Sequence, residues 1–113
     1  MELKMVERKM VEHKDGIDTA TRFELGRYEV ILDVTQWNDG KVTSDMEITS
    51  DWREKYLPTI YYEKKFTEPK GHFEIQTTSY GSMVPEDIDK VIAGLQEAQE
   101  AVKVLNKDIW KWM

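Results

Sequence analysis

Between Pro85 and Trp112 the apolar residues Ile88, Val91, Leu95, Ala98, Val102, Leu105, Ile109 and Trp112 recur at alternating spacings of three and four. That period marks one face of a helix. Pro85 suits a first helical position because it has no N–H to lose. Glu86 and Asp87 place negative charge in the first turn, and Lys103, Lys107 and Lys111 gather towards the other end, both as the helix dipole favours. Gly94 interrupts a run of good helix formers at a cost of roughly 1 kcal/mol against alanine, so another backbone is expected to approach closely there. A helix of roughly 28 residues spans about 42 Å, twice the roughly 20 Å of an ordinary strand. About half of it is therefore expected to project beyond its own sheet. It is either an amphipathic helix packed on that sheet or a seam whose distal half pairs with a second copy or a partner. The flanking positions hold Ile92, Gln99, Asn106, Gly94, Ala101 and Asp108, a single charge where a coiled coil wants many.

Upstream of Gly81 the period changes to two. Tyr28, Val30, Leu32 and Val34 alternate with polar residues apart from Ile31, and Asn38-Asp39-Gly40 marks a turn. A two-residue loop would set Leu32 opposite Glu47. A three-residue loop sets Leu32 opposite Met46 and Val30 opposite Ile48. Because a one-residue slip exchanges the faces, the second register is the prediction, with Gly40 as the left-handed residue of the loop. Its other face then carries Glu29, Asp33, Asp45 and Glu47, with Asp33 directly across from Asp45, an unfavourable juxtaposition. In the first fourteen residues, Leu3, Val6 and Met10 fit a helix. Met1, Leu3 and Met5, followed by Val6, Arg8 and Met10, fit a strand with a bulge. The hairpin signal Asp15-Gly16 and the β-branched stretch after it favour the strand.

Asp51-Trp52-Arg53-Glu54 has the form of a capping box opening one helical turn, ended by Pro58. Thr59 to Phe66 and His72 to Tyr80 predict a further hairpin, with Glu68-Pro69-Lys70-Gly71 as a type I turn. That loop would put Phe66 beside Phe73 and Lys65 across from Glu74. These elements give an α+β fold: an antiparallel β-meander of about five or six strands over residues 1–81, with one long C-terminal helix over residues 85–112 packed on one face. The predicted core is Val30, Leu32, Val34, Met46, Ile48, Phe73, Ile75, Ile88, Val91, Leu95, Val102 and Leu105.

At 113 residues the chain makes a single domain. Hydrophobic content of 40% and charged content of 34% suit a soluble globular protein. No apolar run approaches membrane-spanning length, and the first residues lack the apolar segment of a signal peptide, so a cytoplasmic location is the default expectation. The absence of cysteine excludes disulfide and thiolate chemistry. The net charge of -6 argues against direct nucleic-acid binding, which needs a basic footprint, and suits a partner protein with a basic surface.

Catalytic signals are sparse. His13 and His72 each sit at a strand end with no second ligand at metal-binding spacing, and there is no nucleophile elbow or glycine-rich phosphate loop. Ser79-Tyr80-Gly81-Ser82 precedes a helix N-terminus and reads as a strand-to-helix turn. No cofactor or metal is expected. The strip Glu29, Asp33, Asp45 and Glu47 is a solvated face, an acidic docking strip for a basic partner, or, least favoured, a metal site. Trp37 flanks a hairpin tip, while Trp110 and Trp112 end the chain and need a surface to cover, either the domain's own sheet or another chain. Tryptophan is enriched at binding hot spots.

The run Phe73-Glu74-Ile75-Gln76-Thr77-Thr78-Ser79-Tyr80-Gly81-Ser82, followed by Pro85-Glu86-Asp87 and the helix, resembles the C-terminal part of small proteins carried by phages and mobile elements of Gram-positive bacteria. The resemblance covers about a third of the chain and carries no catalytic residues across. Such proteins include inhibitors of host defence, among them anti-CRISPR proteins. The resemblance implies action by occupying a surface of a larger protein, such as one built to hold nucleic acid. The expected function is a non-enzymatic protein-binding module using Glu29, Asp33, Asp45, Glu47, Trp37, Trp110 and Trp112. The alternatives are a structural homodimer joined through the helix or a sheet edge, and a small enzyme using paired carboxylates.

Overall fold

Residues 1–65, 70–77 and 81–113 are described in a computed structural model. Four strands, β1 (Lys4–His13), β2 (Gly16–Leu25), β3 (Tyr28–Trp37) and β4 (Val42–Ser50), pair antiparallel in chain order. The β3–β4 register is the one the apolar pattern demands, with Val30 opposite Ile48, Leu32 opposite Met46 and Asp33 opposite Asp45. Trp37 N–H donates to the Lys41 carbonyl and Gly40 N–H to the Trp37 carbonyl. Gly40, at φ 87°, closes the three-residue loop in the left-handed conformation that glycine adopts without steric cost.

The first fourteen residues resolve in favour of the strand. The bulge falls between Met5 and Glu7 and carries Met5, Arg8 and Met10 onto one face. The first turn differs from expectation by one residue. Lys14 and Asp15 form it, and Gly16 is already paired with His13. The reason is packing rather than turn geometry: a Cβ on Gly16 would lie 2.3 Å from the Gln36 carbonyl oxygen of β3.

Two strands stand apart. β5 (Thr59–Glu63) and β6 (His72–Gln76) form a separate two-stranded sheet, so the six strands divide into a four-stranded meander and a hairpin. Successive turns over residues 51–57 replace the expected helical turn. The capping box fails because Asp51 binds the backbone N–H and guanidinium of Arg53, while Glu54 turns away to Arg27. In the β5–β6 ladder Tyr62 faces Phe73 and Tyr61 faces Glu74, so Lys65 is not across from Glu74. The slip from the expected register is even in residue number and keeps every side chain on its face. It brings the Tyr62 and Phe73 rings to 5.4 Å. Phe66 and the first half of the turn read at Glu68-Pro69-Lys70-Gly71 lie outside the described residues, as does the first half of the motif at Ser79-Tyr80-Gly81-Ser82.

The helix α1 (Pro85–Asp108) runs unbroken through Gly94 and tightens into a 3-10 turn at Ile109–Trp112. Its buried line is Gly94, Ala98, Ala101, Leu105 and Ile109. The helix is thus rotated towards its small residues, which let the backbones approach. Val91, Leu95 and Val102 sit half-buried on the shoulder of that line. The projecting part is the N-terminal turns, where Ile88 and Ile92 are exposed. The distal half lies against its own sheets, leaving no free seam there. Of the expected core, Val30, Leu32, Met46, Ile48 and Leu105 are buried, and Val34, Phe73 and Val102 pack against them. Ile88 and Ile75 are exposed, the first because the sheets end short of it, the second because β6 is an edge strand. Phe23, Leu25, Tyr28, Leu57 and Ile60 complete the core.

Arg27 ties the layers together. Its guanidinium donates to Glu97 of α1 at 3.0 and 3.1 Å and to Glu54 at 2.8 Å. These groups are partly exposed, so Arg27→Ala is expected to lower stability by about 0.5–1 kcal/mol. The loss should shrink in high salt, as urea titrations at two ionic strengths would show.

All the buried apolar side chains of β2, β3 and β4 lie at one end of the four-stranded sheet, on residues 23–25, 28–32 and 46–48. The other end, with the tips at 14–15 and 38–40, extends past the core. The molecule measures 56 × 30 × 22 Å, with a radius of gyration of 16.4 Å against about 13 Å for a compact chain of this length. No helix of the described residues is long and apolar enough to cross a membrane.

Candidate functional site

The strand pairing fixes what the extended sheet shows to water. On the face away from the core, β3 and β4 present Glu29, Asp33, Asp45 and Glu47, joined by Asp18 of β2, which lies opposite Thr35. Alternation along a strand puts these residues on one side. Across β1 and β2 the same face is nearly neutral. Arg22 lies 3.6 Å from Glu7 and 3.9 Å from Glu29, and Lys9 lies 3.2 Å from Glu7. Among the described residues no cation lies within salt-bridge distance of Asp33, Asp45 or Glu47. The face is therefore polarised across its width, with uncompensated negative charge on the β3–β4 side.

At its centre Asp18 and Asp33 are placed to share a proton as pH falls. The hydrogen bond to Asp18, burial, and the charges of Asp18 and Asp45 push the Asp33 carboxyl up to about 6. The same hydrogen bond holds Asp18 below its ordinary value against the opposing effect of burial, with help from the Thr35 hydroxyl and His13. Thr35 Oγ1 donates to Asp18 at 3.0 Å. Asp33 Oδ1 is buried without a donor. Two carboxylates have no hydrogen to offer each other, so a proton taken up below about pH 6 supplies the missing one. Beside them Asp33, Thr35, Thr43, Ser44 and Asp45 line an open depression of about 260 Å³. Among the described residues no three acidic or histidine side chains are placed to hold a metal ion.

Trp37 stands at the tip of the same face. Its Nε1 donates to Thr43 Oγ1 at 2.8 Å, and its ring meets His13 edge-on at 5.9 Å. Asn38 locks the two hairpin tips together, its amides donating to the Lys14 and Asp15 carbonyls. The ring is 38% exposed above a depression of about 340 Å³ lined by Asp15, Trp37, Asn38, Asp39, Lys41 and Thr43. An indole held this firmly loses little entropy on contact with a partner.

Trp110 and Trp112 lie elsewhere. Trp110 packs on Tyr62 and Phe73 at 6.3 and 5.9 Å, with the Lys70 ammonium 5.2 Å from its ring. Trp112 meets Phe23 edge-on at 5.2 Å. The domain's own sheets supply the surface these two rings cover. The structure thus groups Glu29, Asp33, Asp45, Glu47 and Trp37 and separates the two terminal tryptophans from them.

One residue of the cluster was missed by sequence reasoning. Asp18 enters it through the β2–β3 register, which Gly26 at φ 58° sets, and pairing across Gly26-Arg27 would have found it. Trp52, the remaining tryptophan, is 88% exposed between β4 and β5. His13 and His72 are exposed at strand ends as read, His72 with its Nε2 2.9 Å from Glu74. No protein-family model, curated protein or solved structure matches the chain.

Proposed function

We propose that this chain is a non-enzymatic protein-binding module whose β3–β4 face docks on a basic surface of another protein, with Trp37 as the anchor at the tip. The observation that carries the reading is the uncompensated acidity of that half of the face beside a neutral half. Complementary charge of this kind steers encounter and fixes orientation, and a rigid, half-exposed indole is the side chain most often found at the centre of such contacts. Asp33 and Asp45 line an open depression rather than a closed cleft. That position favours recognition over acid–base chemistry, which needs substrate held against the acid. The narrower form of the proposal is an inhibitor, carried by a phage or mobile element, that occupies the nucleic-acid surface of a host defence nuclease. It rests on the resemblance of the C-terminal third.

The test uses Glu29, Asp45 and Glu47, leaving Asp18 and Asp33 themselves unsubstituted. Affinity capture from the host cells with the wild type is compared with capture by the triple variant E29K/D45K/E47K. Proteins held by the wild type should be lost by the variant, and the retained complex should weaken by tenfold or more as salt is raised through the range where surface charges are screened. Thermal melts should show the variant folded. Capture that survives the triple reversal would remove the acidic face from the reading.

A further inference from the structure

The outer strand of the four-stranded sheet is unguarded. All ten residues of β1 are exposed, and among the described residues no strand lies on its outer side. Met10 is 65% exposed and Val11 59%. A long edge strand of this kind offers a row of unpaired amides and carbonyls to another chain. The two-residue turn at Lys14-Asp15 makes His13 and Gly16 a mutually hydrogen-bonded pair. By alternation the N–H and C=O groups of Glu7, Lys9, Val11 and His13 point into the sheet, while those of Arg8, Met10 and Glu12 point outwards.

We infer that β1 pairs antiparallel with β1 of a second copy about a two-fold axis at Met10, making one continuous eight-stranded sheet. The register follows from charge. With the axis at Met10, each Arg8 faces a Glu12, each Glu7 faces a His13, and Met10 meets its own copy. With the axis at Lys9, two lysines collide. With the axis at Val11, Arg8 faces Lys14, a like pair, and Lys9 faces His13 with no opposite charge. With the axis at Arg8, two arginines meet and the bulged Val6 falls opposite Met10. Opposite charges directly across a ladder attract and like charges repel, so the Met10 axis is the one register without a penalty. It also pairs the outward-pointing groups: Arg8 with Glu12 and Met10 with Met10 exchange about six ladder hydrogen bonds. The bulge between Met5 and Glu7 limits the ladder to the segment where these pairs lie.

Such an axis stands perpendicular to the sheet, so the acidic faces of both copies look the same way. The dimer does not depend on the docking function proposed above, but it would present that face twice and raise its avidity for a partner with repeated basic sites.

The experiment is sedimentation equilibrium of the purified full chain from about 1 to about 500 µM, a range that brackets weak and moderate association. The wild type should pass from monomer to dimer. Arg8→Glu should raise the dissociation constant at least tenfold. Met10→Pro should do the same, since it removes an amide hydrogen that the monomer does not use. The exchange R8E/E12R restores opposite charges across the axis and should recover the wild-type constant within about threefold. Melting curves taken on dilute monomer should be alike for the wild type and the charge variants, separating loss of pairing from loss of fold. A wild type that stays monomeric throughout overturns the inference. So does a dimer indifferent to R8E and M10P, which would point to the exposed Ile88 and Ile92 turn of α1, and so does failure of the charge exchange to rescue.

Discussion

Gly94→Ala should destabilise the fold by about 2 kcal/mol, although alanine is the better helix former. In an unpacked helix the substitution gains about 1 kcal/mol. Here a Cβ on Gly94 would lie 2.1 Å from the Tyr56 carbonyl oxygen and 3.0 Å from its carbon, with the Leu57 Cα at 3.5 Å. These are backbone atoms of the segment that carries the buried Leu57, so no side chain can swing aside. The helix or the 51–57 segment must retreat, and overpacking of this kind costs about 3 kcal/mol at the upper end of its usual range. The net loss should lower the melting temperature by roughly 8 °C in a domain of this size. Ala93→Gly, at the exposed neighbouring position, should cost about 1 kcal/mol from propensity alone. A stabilised Gly94→Ala protein would mean that α1 does not rest on the Tyr56 backbone.

That glycine shows what kind of information the chain carries openly. A poor helix former in an otherwise favourable run signals a neighbour, and the neighbour is there. The three-residue loop at Gly40 was legible for a similar reason, because only one register keeps Leu32 and Val30 facing Met46 and Ile48. The β1 bulge showed as a break in period between Met5 and Arg8. What stayed hidden depends on tertiary geometry. An even slip in β5–β6 leaves every face unchanged, so alternation could not distinguish Phe66 from Tyr62 as the partner of Phe73. The exact line of burial on α1 was set by which backbone came close, and that moved the core from Leu95 and Val102 towards Gly94 and Ala101. The acidic strip was read from one hairpin. Its third aspartate comes from the neighbouring strand, through a turn whose register was not worked out. The terminal tryptophans were assigned to a binding surface by residue type; Trp110 rests on Tyr62 and Phe73, and Trp112 meets Phe23 edge-on while staying 37% exposed.

Asp33→Asn should stabilise the protein by about 1.5 kcal/mol at pH 7.5 and by almost nothing at pH 3. In the folded protein the Asp33 carboxyl is pushed from an ordinary 3.8 up to about 6, so between those values the native state holds a proton that the unfolded chain has released. Stability therefore falls as pH rises through this window. Asp18 is lowered and acts in the opposite sense, favouring the fold as pH rises, but only below about 4, the ordinary aspartate range. The two effects occupy different windows, and the one nearer neutrality belongs to Asp33. Its displacement corresponds to a ceiling of about 3 kcal/mol. The carboxyl is only half-buried, and screening by water halves that figure to about 1.5 kcal/mol. Asparagine removes the charge facing Asp18 and Asp45 while offering an amide N–H in place of the shared proton. Urea denaturation followed by tryptophan fluorescence from pH 3 to 7.5 should show the two stability curves converging at the acid end, separating between the ordinary 3.8 and about 6, and keeping a constant gap above that. Parallel curves would mean that Asp33 ionises as a free carboxylate and that no proton is shared across β2 and β3.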